Sequence, residues 1–564
     1  MSGLVKMDPI VTPEFPVDPL QLLGEKSFGK PRHVPVEEVG TPIQEFFRDA
    51  SVLVTGGTGF MGKTVTEKLL RSCPHLKRIY LIVRTKKGKR GQDRLDDILS
   101  DRVFLRLKTE VPNFRNKITI IPGDLMATDL GISSSDRATV VDNVNIVFHG
   151  AATVRFDEKF RIAAQINILG VRAMLEMAKE MKHLKSFVHV STAFTHCPRR
   201  EIDEMFYETD IHYQDFLEKV MRETDEALER QKDKILGKWP NSYTLSKAMA
   251  EDLIRTEAGD LPLSVFRPSV IVSTYKEPVR GWIDNPYGPV GMMIGVGTGV
   301  LHTTLNDNEN VLDIVPIDIV VNCMLAIAWY SSTSNHKSIP IYNFVSSSQN
   351  PIQLGEFSAR NERHANTWPA IESVWYLSYF ATKHRILYLV LNFFLHRIPG
   401  LVLDAYLKMT GREPRLTTIY NKLSNAMETL AFFSLRQWQW QDYNVQNLWS
   451  HLTPADKELF FFSMKEFDWD YFIEAVDLGL RVYLLKDDVD TLPAARRKWK
   501  KLFIAHCFTK YLFFTLALWI LLEALRFTLS SLPNYHLIII CIVVGHIIRY
   551  VRESSVLEFK LKQD

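Results

Sequence analysis

One hydrophobic rhythm runs through the first two thirds of the chain. Short apolar runs at 51–55, 78–83, 118–121, 145–148, 186–190 and 263–266 show no alternation and are separated by stretches of helix length. Strands buried on both faces read in this way, and strands alternating with helices build a parallel sheet covered on both sides. The spacing predicts a helix over 63–71 that stops near Cys73-Pro74, and a strand followed by a buried helix across 313–329, with Asp318 as the N-cap. The expected fold class is α/β, a Rossmann-like doubly wound parallel sheet. A charged, helix-prone insertion at 200–237 carries no recognisable chemistry.

After about Gln349 the rhythm stops, and the chain to roughly Asp477 is helical and rich in aromatics. Two apolar runs follow, 511–522 and 537–548, parted by Leu532-Pro533-Asn534. Neither alone supplies the roughly 18–20 uncharged residues of a spanning helix. Together they read as a hydrophobic hairpin, a tilted span with snorkelling ends, or one span plus an interfacial helix; the bland alternative is a pair of core helices. The basic stretch 496–501 places this flank on the cytosolic side. A shorter apolar run, 386–395, suits either ordinary core or contact with an acyl chain or membrane. The expected organisation is a flexible, proline-punctuated extension (1–45), a reductase domain (46–350), a helical domain (351–480), a basic linker (481–500) and a membrane-anchoring region (501–564).

The 564 residues exceed a single small module, and 68 Lys plus Arg against 65 Asp plus Glu leave a net charge of +3. That balance excludes nucleic acid as the default partner. Five scattered cysteines without a CxxC pair suit a reducing compartment, and the 16 histidines contain no HExxH-like cluster, so no metal is expected.

The chemistry begins directly after the first strand, with Thr55-Gly56-Gly57-Thr58-Gly59-Phe60-Met61-Gly62. A glycine turn between a strand and a helix N-terminus lets the backbone approach a pyrophosphate, toward which the unpaired N–H groups point. Arg84 ends the second strand, where a site for NAD carries an acidic residue; a guanidinium binds a 2′-phosphate instead. With Lys86, Lys87, Lys89 and Arg90 behind it, the loop favours NADPH. Asp124 and Leu125 after the third strand suit the adenine edge, and Ala151-Ala152 after the fourth lets the cofactor lie against the sheet. Tyr243 and Lys247 stand at i and i+4, on one helical face. A nearby ammonium is expected to lower the phenol's pKa and help it pass a proton to a carbonyl oxygen. Ser191-Thr192 at the end of the fifth strand offers the hydroxyl that holds that oxygen. Cys197 has no adjacent base to make it an acyl carrier.

These residues resemble the extended short-chain dehydrogenase/reductases. Further stretches, Ala151-Ala-Thr-Val-Arg-Phe156, Val188-His-Val-Ser-Thr-Ala193, Arg267-Pro-Ser-Val270, Gly281-Trp-Ile-Asp-Asn285, Leu407-Lys-Met-Thr-Gly411 and Leu492-Pro-Ala-Ala-Arg496, are similar to the alcohol-forming fatty acyl-CoA reductases. The resemblance covers both the reductase domain and the C-terminal "sterile" domain. It implies reduction of a long-chain fatty acyl-CoA to a primary alcohol by two NADPH, through an aldehyde that is not released. It also implies Tyr243 as proton donor, Lys247 on the nicotinamide ribose, Thr192 or Ser191 on the carbonyl oxygen, and the glycine turn, Arg84 and Pro268 around the cofactor. Membrane lipid is the second expected partner, at the endoplasmic reticulum or peroxisome with the catalytic domain facing the cytosol. Rival readings are another membrane-bound extended reductase, of the sterol dehydrogenase or epimerase kind, and an inactive nucleotide-binding scaffold.

Overall fold

Seven parallel strands form the central sheet of the computed structural model, which describes residues 38–84, 91–334 and 338–528. They are β1 (Ser51–Thr55), β2 (Arg78–Val83), β3 (Ile118–Pro122), β4 (Ile146–His149), β5 (Ser186–Val190), β6 (Leu263–Pro268) and β7 (Ile341–Phe344). Their order is β7-β6-β5-β4-β1-β2-β3. The strand order reverses between β1 and β4, which opens a crevice at their carboxyl ends. Alternate residues feed opposite layers: Val52 and Val54 join one core and Leu53 the other, and Val188 and Phe187 divide in the same way. This two-sided burial is why the strands read as unbroken apolar runs.

The helices that matter for the site are α1 (Phe60–Ser72), α2 (Ser242–Glu257), α3 (Ile317–Thr333), α4 (Leu416–Ser434) and α5 (Leu492–Thr528). Several sequence expectations change here. The helix Pro42–Phe46 belongs to the fold rather than to an extension, because Thr41 and Gln44 form a capping box and Ile43 and Phe47 are buried. Pro42 is the first residue of that helix, where its missing N–H costs nothing. Residues 1–37 lie outside the described ones. Asp318 is not an N-cap: α3 starts at Ile317, and the Asp318 carboxylate accepts from the backbone N–H groups of Tyr275, Lys276 and Glu277 at 2.7–3.0 Å.

The basic stretch is no linker either, since α5 runs unbroken through it. Lys and Arg are good helix formers. Its first turns dock through buried Ala495 and Trp499, with Lys498 Nζ on the Ile371 carbonyl at 2.7 Å. The run 537–548 lies outside the described residues. The helical part is also stitched into the reductase part by strand pairs: Phe380–Thr382 on Thr303–Leu305, Ile352–Gln353 on Val311–Leu312, and Gln439–Trp440 on Glu201–Ile202. Among the described residues, Arg385–Met409 and Val489–Ile520 are the two helical stretches long and apolar enough, by length and composition, to cross a membrane.

Candidate active site

The carboxyl ends of β1, β4 and β5 stand side by side and set the floor of the site. After β1, Gly56 adopts φ +74°, and a Cβ there would lie 3.0 Å from the Ala151 backbone. A Cβ on Gly62 would meet the Gly56 carbonyl oxygen at 2.3 Å. Only glycine allows the turn and the first turn of α1 to close against each other. Gly59 is the N-cap of α1 and no side chain caps that end, so its first-turn N–H groups remain available to an external anion. These features fit a dinucleotide's pyrophosphate.

The neighbouring residues frame the turn. Gly57 packs on Leu81, half-buried Thr58 lies beside it, Phe60 stacks on Trp282 at 5.1 Å, and Met61 lies against Gly150. The Thr55 hydroxyl pairs with His149 Nδ1 at 2.8 Å and accepts from the Ala151 N–H at 3.2 Å. It therefore ties β1 to β4 and sets the position of half-buried Ala151 and Ala152. Arg84 is exposed just beyond β2. Lys87 lies outside the described residues. Asp124 receives the Met126 N–H at 3.1 Å, and Leu125 packs beside Gly170. Pro268 is buried at the end of β6, where its carbonyl receives the Ala193 N–H at 2.9 Å.

Helix α2 carries the catalytic candidates on one face. Asn241 caps it through the Thr244 N–H at 2.9 Å, so Tyr243 stands in the first turn. Burial raises the Tyr243 phenol to about 12, and its hydrogen bond with Thr192 opposes that rise. The expected lowering by Lys247 is not found. The Lys247 ammonium donates instead to the Val190 carbonyl at 2.7 Å, and burial pulls it down to about 8. The phenol thus keeps its proton at neutral pH, the state that a proton donor requires.

The two hydroxyls at the end of β5 separate in role. Ser191 donates to Glu251 Oε1 at 2.5 Å and shares a contact with Thr195 at 2.8 Å, whereas the Thr192 hydroxyl accepts from the Phe194 N–H at 3.3 Å and opposes the rise of the Tyr243 phenol. In this arrangement Ser191 braces the end of β5 against α2 through Glu251. Glu251, one turn beyond Lys247, went unnoticed in the sequence. It is 1% exposed, takes Arg267 Nε at 3.0 Å and Nη2 at 2.5 Å, and approaches His196 Nε2 at 3.2 Å. The guanidinium holds its carboxylate far below the usual range. Its only sequence signal was the continued i, i+4 spacing from Tyr243 through Lys247.

Asn167 was also missed. It pins the Thr153 backbone from both sides, at 2.9 and 3.1 Å, and donates to Ser246 Oγ at 2.9 Å. Cys197 is buried and its thiol is raised to about 12, which leaves it inert as a nucleophile.

An aromatic wall flanks the phenol. Phe156 stacks on Tyr243 at 5.8 Å, and Phe433, from the end of α4, packs on Phe156 and Phe194 at 5.6 and 5.3 Å. Trp438 and Trp440 close around Phe194 and donate to the Cys197 and Ala193 carbonyls at 3.0 Å each. The helical part thus builds one side of the catalytic site.

A glycine turn at the switch point and a Tyr–Lys–Thr constellation define a nicotinamide-dependent oxidoreductase with the extended short-chain dehydrogenase/reductase fold. Comparisons refine this. Two family models described as male sterility protein match residues 54–324, the first of them an NAD-binding one, and 395–487. Fatty acyl-CoA reductase wat of Drosophila melanogaster is 39% identical over 486 residues, 86% of this chain and 94% of that protein. Human fatty acyl-CoA reductase 1 is 36% identical over 460 residues, 82% and 89% of the two chains. Among solved structures, the terminal R domain from the myxalamid PKS-NRPS biosynthetic pathway shares the fold with a TM-score of 0.50 at 18% identity, covering 78% of this chain and 91% of that one. The chain belongs to the fatty acyl-CoA reductase family.

Proposed function

We propose that the protein reduces long-chain fatty acyl-CoA to the primary alcohol, consuming two NADPH and retaining the intermediate aldehyde. The observation that carries this reading is Tyr243, one helical turn before Lys247 and stacked on Phe156 at the edge of the Phe156–Phe194–Phe433 wall. Protonated Tyr243 gives its proton to the carbonyl oxygen, and Thr192 holds that oxygen as charge develops on it. A bound nicotinamide supplies the hydride at the carbonyl carbon. As the hemithioacetal so formed collapses to the aldehyde, its hydroxyl proton returns to the Tyr243 phenolate and coenzyme A leaves as a thiolate, so no enzyme nucleophile is needed and the inert Cys197 is no obstacle.

The glycine turn and the N-terminus of α1 would hold the pyrophosphate, with Lys247 reaching the ribose beside Val190. Exposed Arg84, together with Lys87, favours NADPH over NADH, since a planar guanidinium binds a 2′-phosphate in a fork. The apolar wall suits a fatty chain, each buried methylene contributing about 0.8 kcal/mol. Membrane association through α5 would bring the enzyme to where such chains reside, and the reading assigns it to the cytosolic face of the endoplasmic reticulum or peroxisome.

Detergent-solubilised protein incubated with palmitoyl-CoA and NADPH tests the reading by lipid analysis. Fatty alcohol at two NADPH per CoA released is the expected result. Accumulated aldehyde would restrict the reaction to one step, and a folded, NADPH-binding preparation that oxidises no NADPH with any acyl-CoA would overturn the reading.

A further inference from the structure

The stretch Arg385–Met409 reverses the amphipathicity of a water-soluble helix. It comprises the helices Arg385–Asn392 and Ile398–Met409, joined by the wide turn Phe393–Arg397. Its protein-facing stripe, at strict i, i+4 spacing, is Tyr388, Asn392, His396, Gly400 and Asp404, all polar or small. His396 Nε2 receives the His302 N–H at 2.8 Å and its Nδ1 meets Asn392 Oδ1 at 2.8 Å, while its ring stacks on Tyr420 at 5.2 Å. Asp404 caps the start of α4 by accepting from the N–H groups of Arg415, Leu416 and Thr417 at 2.8–2.9 Å.

The outward face is the apolar one: Ile386, Val390, Phe394, Leu401, Val402 and Met409 are exposed, the last at 86%. A surface helix in water places its apolar stripe inward and its polar face outward, so this arrangement fits an apolar surrounding.

Length alone would let the stretch cross a bilayer, but two features oppose a crossing. The i, i+4 stripe keeps the whole length against the protein, and Arg397, the middle residue of the 25, is exposed. A crossing helix would carry that guanidinium to the bilayer centre, whereas a helix lying in the interface lets it snorkel to the phosphates. The patch also continues into α5. Segment 374–380 leads from the strand under Arg385–Asn392 to α5, where Trp375 Nε1 donates to His506 Nδ1 at 3.1 Å and Tyr376 packs on Trp499 and Phe503 at 4.9 and 5.0 Å. From there α5 exposes Ile504, Phe508, Leu512 and Trp519.

We infer that Arg385–Met409 lies in the plane of the membrane, embedded in one leaflet, and forms with α5 a second attachment of the catalytic body. The inference goes beyond the proposed reaction and does not depend on its substrate.

Its test reads depth rather than turnover. Full-length protein carrying Cys507→Ser and Cys541→Ser receives one environment-sensitive label through Ile386→Cys, Phe394→Cys, Val402→Cys or Met409→Cys. Each variant is reconstituted in phosphatidylcholine/phosphatidylserine vesicles whose lipids are brominated near the glycerol or near the methyl end, with Asp142→Cys as the distant control. All four labels are expected to lose roughly half or more of their emission to the shallow quencher and little to the deep one, as a depth of about 5–10 Å requires. Quenching depth that changes progressively from Ile386 to Met409 would show a crossing helix. Blue-shifted emission untouched by either quencher would show a second copy of the chain on the patch, and water-like emission would show free solvent. Each of these three results overturns the inference.

Discussion

Replacing Glu251 with glutamine removes the charge at the centre of the buried network behind the reacting hydroxyls. Its carboxylate is 1% exposed and its partner Arg267 fully buried, so the variant leaves an uncompensated guanidinium whose remaining partners are the Asp203 and Met205 carbonyls. Breaking a buried pair from one side costs about 3–5 kcal/mol. At about 2–4 °C per kcal/mol for a domain of this size, the melting temperature should fall by roughly 6–20 °C.

The kinetic effect follows from Ser191, which is tethered to Glu251 at 2.5 Å and precedes Thr192. Below the melting transition, turnover should drop while NADPH affinity changes little, because the glycine turn is untouched. Scanning fluorimetry and steady-state kinetics supply both readings. A second variant separates pairing from packing: Glu251→Leu with Arg267→Met removes both charges and should recover a large part of the single variant's loss, since an apolar replacement of a buried pair is often neutral. A melting shift below about 2 °C for Glu251→Gln, or a double variant no better than the sum of its parts, would refute this account of Glu251.

Tyr243→Phe keeps the stacking on Phe156 but removes the proton, so turnover should be abolished with NADPH binding retained; titration of cofactor fluorescence alongside the rate checks both. Arg84→Ala should erode the preference for NADPH over NADH through the NADPH affinity, and an unchanged ratio of kcat/KM values would move the 2′-phosphate contact to the lysines that follow. The Lys247 ammonium, pulled down to about 8, costs the fold stability below that pH, and the cost fades toward its ordinary 10.5; cofactor affinity should therefore weaken as pH rises through about 8 while stability does not. Isothermal titration of NADPH at a series of pH values reads this, and Lys247→Met should bind more weakly with no step near that pH.

What could be read without coordinates was short in range. The six strands expected from the opening rhythm match observed ones to within two residues, because burial on both faces writes itself into consecutive residues. The glycine turn and the Tyr243–Lys247 spacing likewise depend on neighbours a helical turn or two apart. The seventh strand, Ile341–Phe344, escaped because it is only four residues long and ends an otherwise polar stretch.

Tertiary structure decided the rest, where the determining contacts are remote in the chain. The tethering of Ser191 rests on Glu251, 60 residues away, and the wall beside the phenol is built by residues such as Trp440, 247 positions from the carbonyl it binds. Hydrophobic pattern alone could not tell whether the run 386–395 faces core or lipid, since both solvents are apolar. Packing decided the part that concerns the core: the polar stripe at Asn392, His396 and Asp404 faces the protein because its hydrogen-bonding partners are there, which leaves the apolar side exposed.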